Sequence, residues 1–305
     1  MNIITVTLNP AIDVHIFSNR DDMPRAERTV RHSGGKGINV SRALSHFGVD
    51  SLCYTIVGRE NMDSFLEPLT DVNLVYDVVL GRVRENVHYH LKGGERVAPG
   101  AGPCVTKSDI ERMRERLLLG INSGTMLVFS GSIPPSSDKD AILNFLLEAK
   151  ARGARIILDS RSFDLDDIRR IYPYLIKPNK DEFIDLLGVG NEPFDATYLL
   201  NSLGSDVSEN VILTLGENGA LLYNGREVYL ATFPEIEAVS TTGAGDSVIA
   251  GFLFGANRGE SLCESLRTGV AFGSASCLTD GTLPPRIEDV NKIRDRVAVN
   301  KITCN

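Results

Sequence analysis

The sequence contains few cysteines, and they form no pattern that would build a covalent or metal-bound framework. There are 5 in 305 residues, an odd number, and no two are spaced as Cys-x-x-Cys. The composition therefore argues against a disulfide-stabilised fold and against a structural zinc site. We expect these residues to be small buried side chains in a reducing cytoplasm.

Strongly basic segments and long apolar segments are also missing. The formal net charge is −8 and no run of lysine or arginine occurs, so we expect no nucleic-acid partner and no acidic membrane surface. The N-terminal residues lack the basic and apolar regions of a signal peptide, and no stretch of about 18 apolar residues predicts a membrane span. We therefore expect a cytoplasmic location and no membrane partner.

Two common nucleotide-binding fingerprints are absent as well. The turn formed by Gly243, Ala244 and Gly245 is not followed by the third glycine of G-x-G-x-x-G, because Val248 stands at that position. The dipeptide at 35–36, G-K, lacks the upstream glycine of the P-loop. Neither a dinucleotide-binding turn nor a P-loop is therefore predicted.

From about residue 107 onward, short β-rich stretches alternate with longer helical patterns. The β-rich stretches are residues 125–129, 155–158, 174–176 and 210–214. This alternation is typical of a mostly parallel sheet covered by helices, so the predicted fold class is α/β.

The first hundred residues show a different pattern. Strand-like stretches occur in pairs with no helix between the members of a pair, at 12–17, 27–32, 75–80 and 86–91. Because parallel strands need a long crossover connection, we place all four in a small β-sheet outside the main one. The length favours a single domain over 1–305, with a β lid built from about 12–33 and 75–100.

Polar or glycine-rich clusters follow the strands predicted in the second part of the chain. They lie at 130–132, 159–161, 177–179 and 215–219. Ordinary turn chemistry explains each cluster taken singly. Together they favour a ligand site, because ligands of open α/β sheets bind beyond the carboxyl ends of the strands.

Residues 240–247 read S-T-T-G-A-G-D-S and place Asp246 at the start of a long apolar segment. We expect a buried helix from near Ala244, whose first backbone N–H groups can bind an anion. One interpretation of Asp246 is a favourable charge in the first helical turn. The other is a general base beside an anion hole, which suits phosphoryl transfer. The helix N-terminus is expected to lower the pKa of Asp246.

A second glycine cluster, S-G-G-K-G-I-N-V at 33–40, precedes a helix predicted over 38–47. Gly35 allows a ligand to approach the backbone, Lys36 supplies a positive charge, and Asn39 can both donate and accept hydrogen bonds. A polyhydroxylated ligand needs such groups. The alternative is a tight turn with a solvated lysine.

Eight motifs now carry a family resemblance. They are T-L-N-P-A-I-D at 7–13, R-A-E-R at 25–28, G-G-K-G-I-N-V at 34–40, R-x-N at 84–86, S-G-S-I-P-P at 130–135, I-K-P-N-x-x-E at 176–182, L-T-L-G-x-x-G-A at 213–220 and T-G-A-G-D at 242–246. In this order they resemble the ribokinase-like (PfkB) carbohydrate kinases, and within them the 1-phosphofructokinase and tagatose-6-phosphate kinase group. The resemblance implies a three-layer α/β/α fold with a central mostly parallel sheet and a small β-sheet lid.

The resemblance also implies roles for particular residues. Asp246 matches the catalytic base, and Gly243, Ala244 and Gly245 match the anion hole. The positions that match sugar-phosphate contacts are Asp13, Arg25, Gly35, Lys36, Asn39, Arg84, Asn86 and Ser130. The positions that match the ATP site are Lys177, Asn179, Thr214, Gly216 and Gly219, with Glu182 holding Mg²⁺ through water. The last helix, around 273–277, is expected to wall the adenine pocket.

The sequence departs from the family pattern around the expected sugar site. Val83 replaces a threonine, V-A-P-G-A-G-P at 97–103 replaces N-G-P-G-P, and S-R-S after Asp159 replaces a small-residue turn. The identity of the sugar is therefore left open. Fructose 1-phosphate is the first expectation, followed by tagatose 6-phosphate and fructose 6-phosphate.

Two other functions are weighed against a sugar-phosphate kinase. A kinase of an unphosphorylated sugar or nucleoside is disfavoured by three basic residues at the expected sugar site, Arg25, Lys36 and Arg84. A non-catalytic sugar-phosphate sensor is disfavoured because the catalytic motif is intact. A small sheet is marginal alone, so we also expect a homodimer in which two lids cover each other.

Overall fold

The computed structural model describes residues 1–18, 26–92, 94–188, 200, 203–204 and 206–302. Arg25, one of the predicted sugar-phosphate contacts, lies outside the described residues. Among the described residues, no helix combines the length and the apolarity needed to cross a bilayer.

The described residues form fourteen strands, numbered in chain order. They are β1 Asn2–Thr7, β2 Ala11–Phe17, β3 Arg28–Gly34, β4 Leu52–Gly58, β5 Asn73–Val79, β6 Arg84–Leu91, β7 Gly94–Ala98, β8 Thr125–Ser130, β9 Arg155–Asp159, β10 Leu175–Ile176, β11 Asn210–Thr214, β12 Ala220–Tyr223, β13 Val228–Thr232 and β14 Ala298–Ile302.

The α-helices of the described residues are numbered in the same way. They are α1 Lys36–His46, α2 Met62–Leu66, α3 Lys107–Leu118, α4 Lys139–Ala151, α5 Leu165–Ile171, α6 Lys180–Leu187, α7 Ala244–Asn257, α8 Leu262–Ser276 and α9 Ile287–Arg294. A single 3₁₀ turn, Gly216–Asn218, follows β11.

Ten strands form one mixed sheet in the order β14-β13-β12-β11-β10-β9-β8-β1-β4-β5. Neighbours from β5 to β11 are parallel, and β12 to β14 are antiparallel. From β1 the chain builds outward to β4 and β5, then returns to β8 and builds in the other direction. The loops after β1 and β8 therefore diverge and open a crevice, which is where open α/β sheets bind ligands.

Helices cover both faces of this sheet and form two separate cores. On one face, α3 to α6 pack their apolar sides, and α1 with α7 to α9 do so on the other. Core side chains include Leu117, Phe145, Ile168 and Phe183 on the first face and Leu44, Phe252, Phe272 and Val290 on the second. The predicted three-layer α/β/α arrangement is confirmed.

The lid is a separate four-stranded sheet in the order β3-β2-β6-β7. Ile12 and Val14 of β2 lie on one face of the lid and pack in a small apolar cluster with Ile38 and Phe65. Asp13 and His15 alternate with them and therefore point to the opposite face. Three of the four early strands predicted for the lid, at 12–17, 27–32 and 86–91, lie in it.

The placement of 75–80 in the lid is wrong. These residues belong to β5, which pairs in parallel with β4 at the edge of the main sheet. The crossover between them is carried by α2, Met62–Leu66, whose five residues are too few to show a helical period. The second lid segment therefore begins at Arg84, the first residue of β6, and not at residue 75.

Candidate active site

The glycine turn at 243–245 forms a helix N-terminus, as its sequence predicted. Gly243 takes a left-handed conformation, with φ at 80°, and is the N-cap of α7. The first helical bond runs from the amide of Ser247 to the carbonyl of Gly243, at 2.9 Å. The amides of Gly245 and Asp246 precede that bond, so they have no helical acceptor and can bind an anion.

Asp246 lies in the first turn of α7 and is buried, with 6 % of its surface exposed. Its Oδ2 accepts a hydrogen bond from Nδ2 of Asn39 at 2.8 Å. Burial, followed by repulsion from Asp159, raises the pKa of Asp246 to about 7, against the opposing effects of Lys36, Asn39 and Lys177. The expectation of a lowered pKa is wrong, because loss of water around the carboxylate outweighs the helix N-terminus.

Lys36 begins α1 and reaches across the cleft. Its Nζ lies 3.0 Å from Oδ1 of Asp159 and 3.9 Å from Oε1 of Glu182. Burial alone would lower the pKa of Lys36, but the nearby charges of Asp159, Asp246 and Glu182 raise it. The side chain is therefore a firmly charged group beside the base.

Lys177 follows β10 and approaches the anion hole from the other side. Its Nζ lies 3.5 Å from Oδ1 of Asp159. A Cβ placed on Gly245 would stand 2.9 Å from that Nζ, so the ammonium group borders the glycine turn directly. A buried cation beside free backbone amides suits a transferring phosphoryl group.

The lid supplies the opposite wall of the cleft. Oδ1 of Asp13 accepts a hydrogen bond from Nδ2 of Asn86 at 2.8 Å and lies 3.5 Å from Nε2 of His88. Burial would raise the pKa of Asp13, but the hydrogen bonds from His88 and Asn86 lower it. An ionised carboxylate on this wall suits binding of sugar hydroxyl groups.

Arg84 lies beside this carboxylate at the start of β6. Its Nε is buried, and no partner for it lies among the described residues. Burial lowers the pKa of Arg84, and the charge of Asp13 acts in the opposite direction. A buried guanidinium nitrogen without an acceptor is costly, so it points to an anionic ligand of the cleft.

These groups surround one cleft of about 490 Å³ between the lid and the main sheet. Seven of the eight residues predicted for the sugar site lie within the described part of the chain, and six line this cleft: Asp13, Gly35, Lys36, Asn39, Arg84 and Asn86. Ser130 does not line it. Its buried Oγ has no partner among the described residues, and the residue pairs with Asp159 across β8 and β9.

A groove of about 830 Å³ adjoins the cleft on the side of β11 and α8. Asn179, Thr214 and Gly245 line both spaces. Gly216 and Gly219 also line the groove, and both adopt left-handed conformations that bring bare backbone to its surface. Gly273 and Ser274 of α8, and Cys277 directly after this helix, form part of its wall, and an adenine pocket here stays a prediction. The helix concerned is not the last one, because α9 follows α8.

The motif N-x-x-E forms a capping box at the start of α6. The Asn179 side chain accepts from the amide of Glu182 at 2.9 Å, and Oε2 of Glu182 accepts from the amide of Asn179 at 2.8 Å. Oε1 of Glu182 accepts from Nε of Arg161 at 2.8 Å. Each carboxylate oxygen has a second lone pair, so this acidic group, which lines the cleft beside Asn179, fits a magnesium-bound water.

Two site residues were not singled out from the sequence. Asp159 was noted only within a strand-end cluster, and His88 had no motif that marked it. Their contacts come from elements distant in sequence: pairing of β9 with β10 brings Lys177 to Asp159, and pairing of β2 with β6 brings His88 to Asp13. The only local signal was the position of Asp159 at a strand's carboxyl end.

Comparison with known proteins agrees with this geometry. Residues 4–289 match the family model described as pfkB family carbohydrate kinase. The chain belongs to the pfkB family of carbohydrate kinases.

Three relatives illustrate the similarity. The chain is 32 % identical to a 1-phosphofructokinase of Borreliella burgdorferi, over 98 % of this chain and 99 % of the relative. It is 33 % identical to a 1-phosphofructokinase of Bacillus subtilis, over 91 % and 93 %. The solved structure of Escherichia coli phosphofructokinase-2 with substrates and products superimposes with a TM-score of 0.88 at 28 % identity, covering 97 % and 99 %. The protein is an ATP-dependent kinase of sugar phosphates.

Proposed function

We propose that this kinase transfers the γ-phosphoryl group of ATP to a ketohexose monophosphate, with fructose 1-phosphate as the first candidate and fructose 1,6-bisphosphate as the product. The observation that carries the proposal is the position of Asp246, which is buried beside a helix N-terminus where the lid cleft and the nucleotide groove meet. Tagatose 6-phosphate and fructose 6-phosphate are the next candidates. The departures from the family pattern at Val83 and Ala98 do not line the cleft themselves, although Arg84, Val97 and Pro99 beside them do. Arg161 contacts Glu182.

In the proposed reaction, Asp246 accepts the proton of the attacking hydroxyl group as the new O–P bond forms. With a pKa near 7, its carboxylate is a better base than an ordinary aspartate at neutral pH. The amides of Gly245 and Asp246 and the ammonium group of Lys177 stabilise charge on the transferring phosphoryl oxygens. The bond to the β-phosphate breaks, and ADP leaves through the groove.

The phosphate already carried by the acceptor is assigned to basic groups that line the cleft. Arg84 has a buried Nε without a partner in the described chain, and Lys36 lines the same space. Arg25 completes the assignment from sequence alone. Guanidinium groups suit this task because they bind phosphate oxygens in pairs.

Glu182 is the residue that would hold magnesium, through a water molecule. Mg²⁺ bound with ATP would neutralise and orient the phosphate oxygens. The chain's own contribution is the capping box, which fixes the carboxylate on the cleft wall next to Asn179, a residue that lines both cleft and groove.

A homodimer through the lid and a cytoplasmic location remain predictions. Support for the dimer comes from the exposed residues of β3 and β7, which form the two edges of the lid sheet. Open edges of this kind favour pairing with another sheet.

The test is an assay of ADP release with ATP and Mg²⁺ on six acceptors: fructose 1-phosphate, tagatose 6-phosphate, fructose 6-phosphate, free fructose, ribose and a nucleoside. We expect one phosphorylated ketose to be turned over at least about tenfold faster than free fructose, because Arg84 and Lys36 gain a phosphate partner. Equal or faster turnover of the unphosphorylated compounds would overturn the assignment of the basic residues. No turnover of any acceptor, with ATP bound, would favour the sensor.

A further inference from the structure

A buried carboxylate, Asp159, lies between the two lysines of the site. It ends β9, and 2 % of its side chain is exposed. Its Oδ1 contacts Nζ of Lys36 at 3.0 Å and Nζ of Lys177 at 3.5 Å. It does not line the sugar cleft, so its contacts are with the lysines rather than with that ligand space.

Asp246, in contrast, has no cation within salt-bridge distance among the described residues. Its hydrogen bond comes from the neutral amide of Asn39. The charged groups that act on it are Asp159, Lys36 and Lys177, from β9, the start of α1 and the loop after β10. Both lysines thus pair with Asp159, and Lys36 also lies 3.9 Å from Oε1 of Glu182, whereas Asp246 has no ionic partner among the described residues.

We propose that Asp159 is a positioning residue for phosphoryl transfer: it holds Lys36 and Lys177 beside the anion hole and keeps both of them from pairing with Asp246. The inference rests on the proposed function of the site. An aspartate paired directly with a lysine would be a poor base, because the cation stabilises its ionised form. With Asp159 in place, the base and the phosphate-binding cations coexist within one cleft.

The repulsion between the two carboxylates supports this arrangement. After burial, the charge of Asp159 is the largest cause of the raised pKa of Asp246. Removing that charge while keeping the shape should lower the pKa of Asp246 in two ways. The repulsion ends, and the two lysines become free to turn towards Asp246.

The substitution Asp159→Asn tests the proposal through the pH dependence of kcat/KM, measured with whichever of fructose 1-phosphate and fructose 6-phosphate the wild type turns over. We expect the acidic limb of the profile, where kcat/KM falls as the pH is lowered, to move down by about one pH unit. We also expect kcat to fall more than tenfold at pH 8 while KM for ATP changes less. The matched control is Asp185→Asn, which removes one charge from an exposed aspartate on α6. Asp185 lines a third pocket, together with Asp159 and Lys177. The control substitution should leave the limb in place.

A second measurement needs no turnover. At pH 8, Asp246→Asn should raise Tm because it removes a buried charge. In the Asp159→Asn background that rise should be less than half as large. If the wild type phosphorylates no acceptor, the proposed function fails, but this comparison still tests the coupling of the two carboxylates.

An unmoved acidic limb in a folded Asp159→Asn protein, or an equal rise of Tm in both backgrounds, would overturn the proposal. If Asp159→Asn does not fold, Asp159→Glu replaces it. The longer side chain keeps the charge but displaces the lysines, so we expect the limb to stay and kcat to fall. Unchanged kcat and KM for Asp159→Glu would count against the proposal.

Discussion

The chemistry of single residues in this kinase depends on burial and on the charged and hydrogen-bonding groups around them. Asp246 and Asp13 face the same cleft, yet burial and Asp159 raise the pKa of the first, while hydrogen bonds from His88 and Asn86 lower that of the second. The two carboxylates are thereby suited to different tasks. One can accept a proton near neutral pH, and the other stays ionised and can hold hydroxyl groups.

The activity should follow the ionisation of Asp246. Below pH 7 the carboxyl group is protonated and cannot accept the proton of the acceptor, so kcat/KM should fall about tenfold per pH unit and level off above pH 7. Asp246→Asn should lower kcat by about 10²- to 10⁴-fold at pH 8 and leave ATP binding in place. Steady-state kinetics and calorimetric ATP binding check this. A flat profile between pH 5 and 8 would contradict it.

The same ionisation has a cost in stability. Because the pKa in the folded state, about 7, exceeds the ordinary value of 3.8, the folded protein binds more protons between pH 4 and 7. The carboxyl group of Asp246 thus contributes stability below pH 4, and this contribution is lost as the pH rises through 7. We expect Asp246→Asn to be more stable than the wild type at pH 8, by as much as about 4 kcal/mol. The difference should vanish near pH 4, and urea unfolding at both pH values measures it.

At the level of secondary-structure elements, the site is made by the first turns of helices. The starts of α1, α6 and α7 bring Lys36, Glu182 and Asp246 to the carboxyl edge of the sheet. At α7, Gly243 takes a φ of 80°, and a side chain at Gly245 would displace the ammonium group of Lys177. That contact gives a direct test of the anion hole.

Gly245→Ala should impair the reaction more than the fold. Its Cβ would stand 2.9 Å from Nζ of Lys177, so the ammonium group must move away from the turn. We expect kcat to fall about 10- to 1,000-fold, the range for loss of one group that stabilises transition-state charge, and Tm to change little. Gly120→Ala, where the nearest atom to a new Cβ lies 3.8 Å away, is the matched control. Equal kcat in both variants would show that Lys177 does not act at the turn.

The lid strand β2 permits a test of the sugar wall. Asp13→Asn keeps the shape of the side chain but removes the charge that faces Arg84 and His88. KM for the acceptor should rise about tenfold or more, because two charge-assisted hydrogen bonds to hydroxyl groups weaken, while KM for ATP stays within about twofold. A parallel rise in both constants would place Asp13 outside the acceptor site.

These elements also explain how far the sequence predicts the structure. The start of α7 at Ala244, the strands from β8 to β11 and the capping box at Asn179 were predictable, because each depends on residues within one turn or one strand. β5 was misplaced because α2 is too short to show a period. The raised pKa of Asp246 was missed because its burial and the position of Asp159 arise from contacts between distant elements.

For the molecule as a whole, the open edges of the lid predict self-association. We expect a dimer by multi-angle light scattering at micromolar concentration. Val30→Pro disrupts β3 at the lid edge, and Val299→Pro places the same change on β14, at the edge of the main sheet. If the dimer pairs through β3, only the first change should yield monomers. A monomeric wild type would exclude the dimer.

The topology of the lid has a consequence for the order of assembly. Asp13 and Asn86 are 73 residues apart, and the chain between them builds β4 and β5 of the main sheet. Contact between Asp13 and Asn86 closes a long loop, and the loss of chain entropy is smaller once the intervening stretch has folded. The sugar wall should therefore form last and be the first part to exchange its amide hydrogens. The residues that line the nucleotide groove all lie within 179–277, outside the lid. A molecule whose lid sheet is unfolded should therefore still bind ATP.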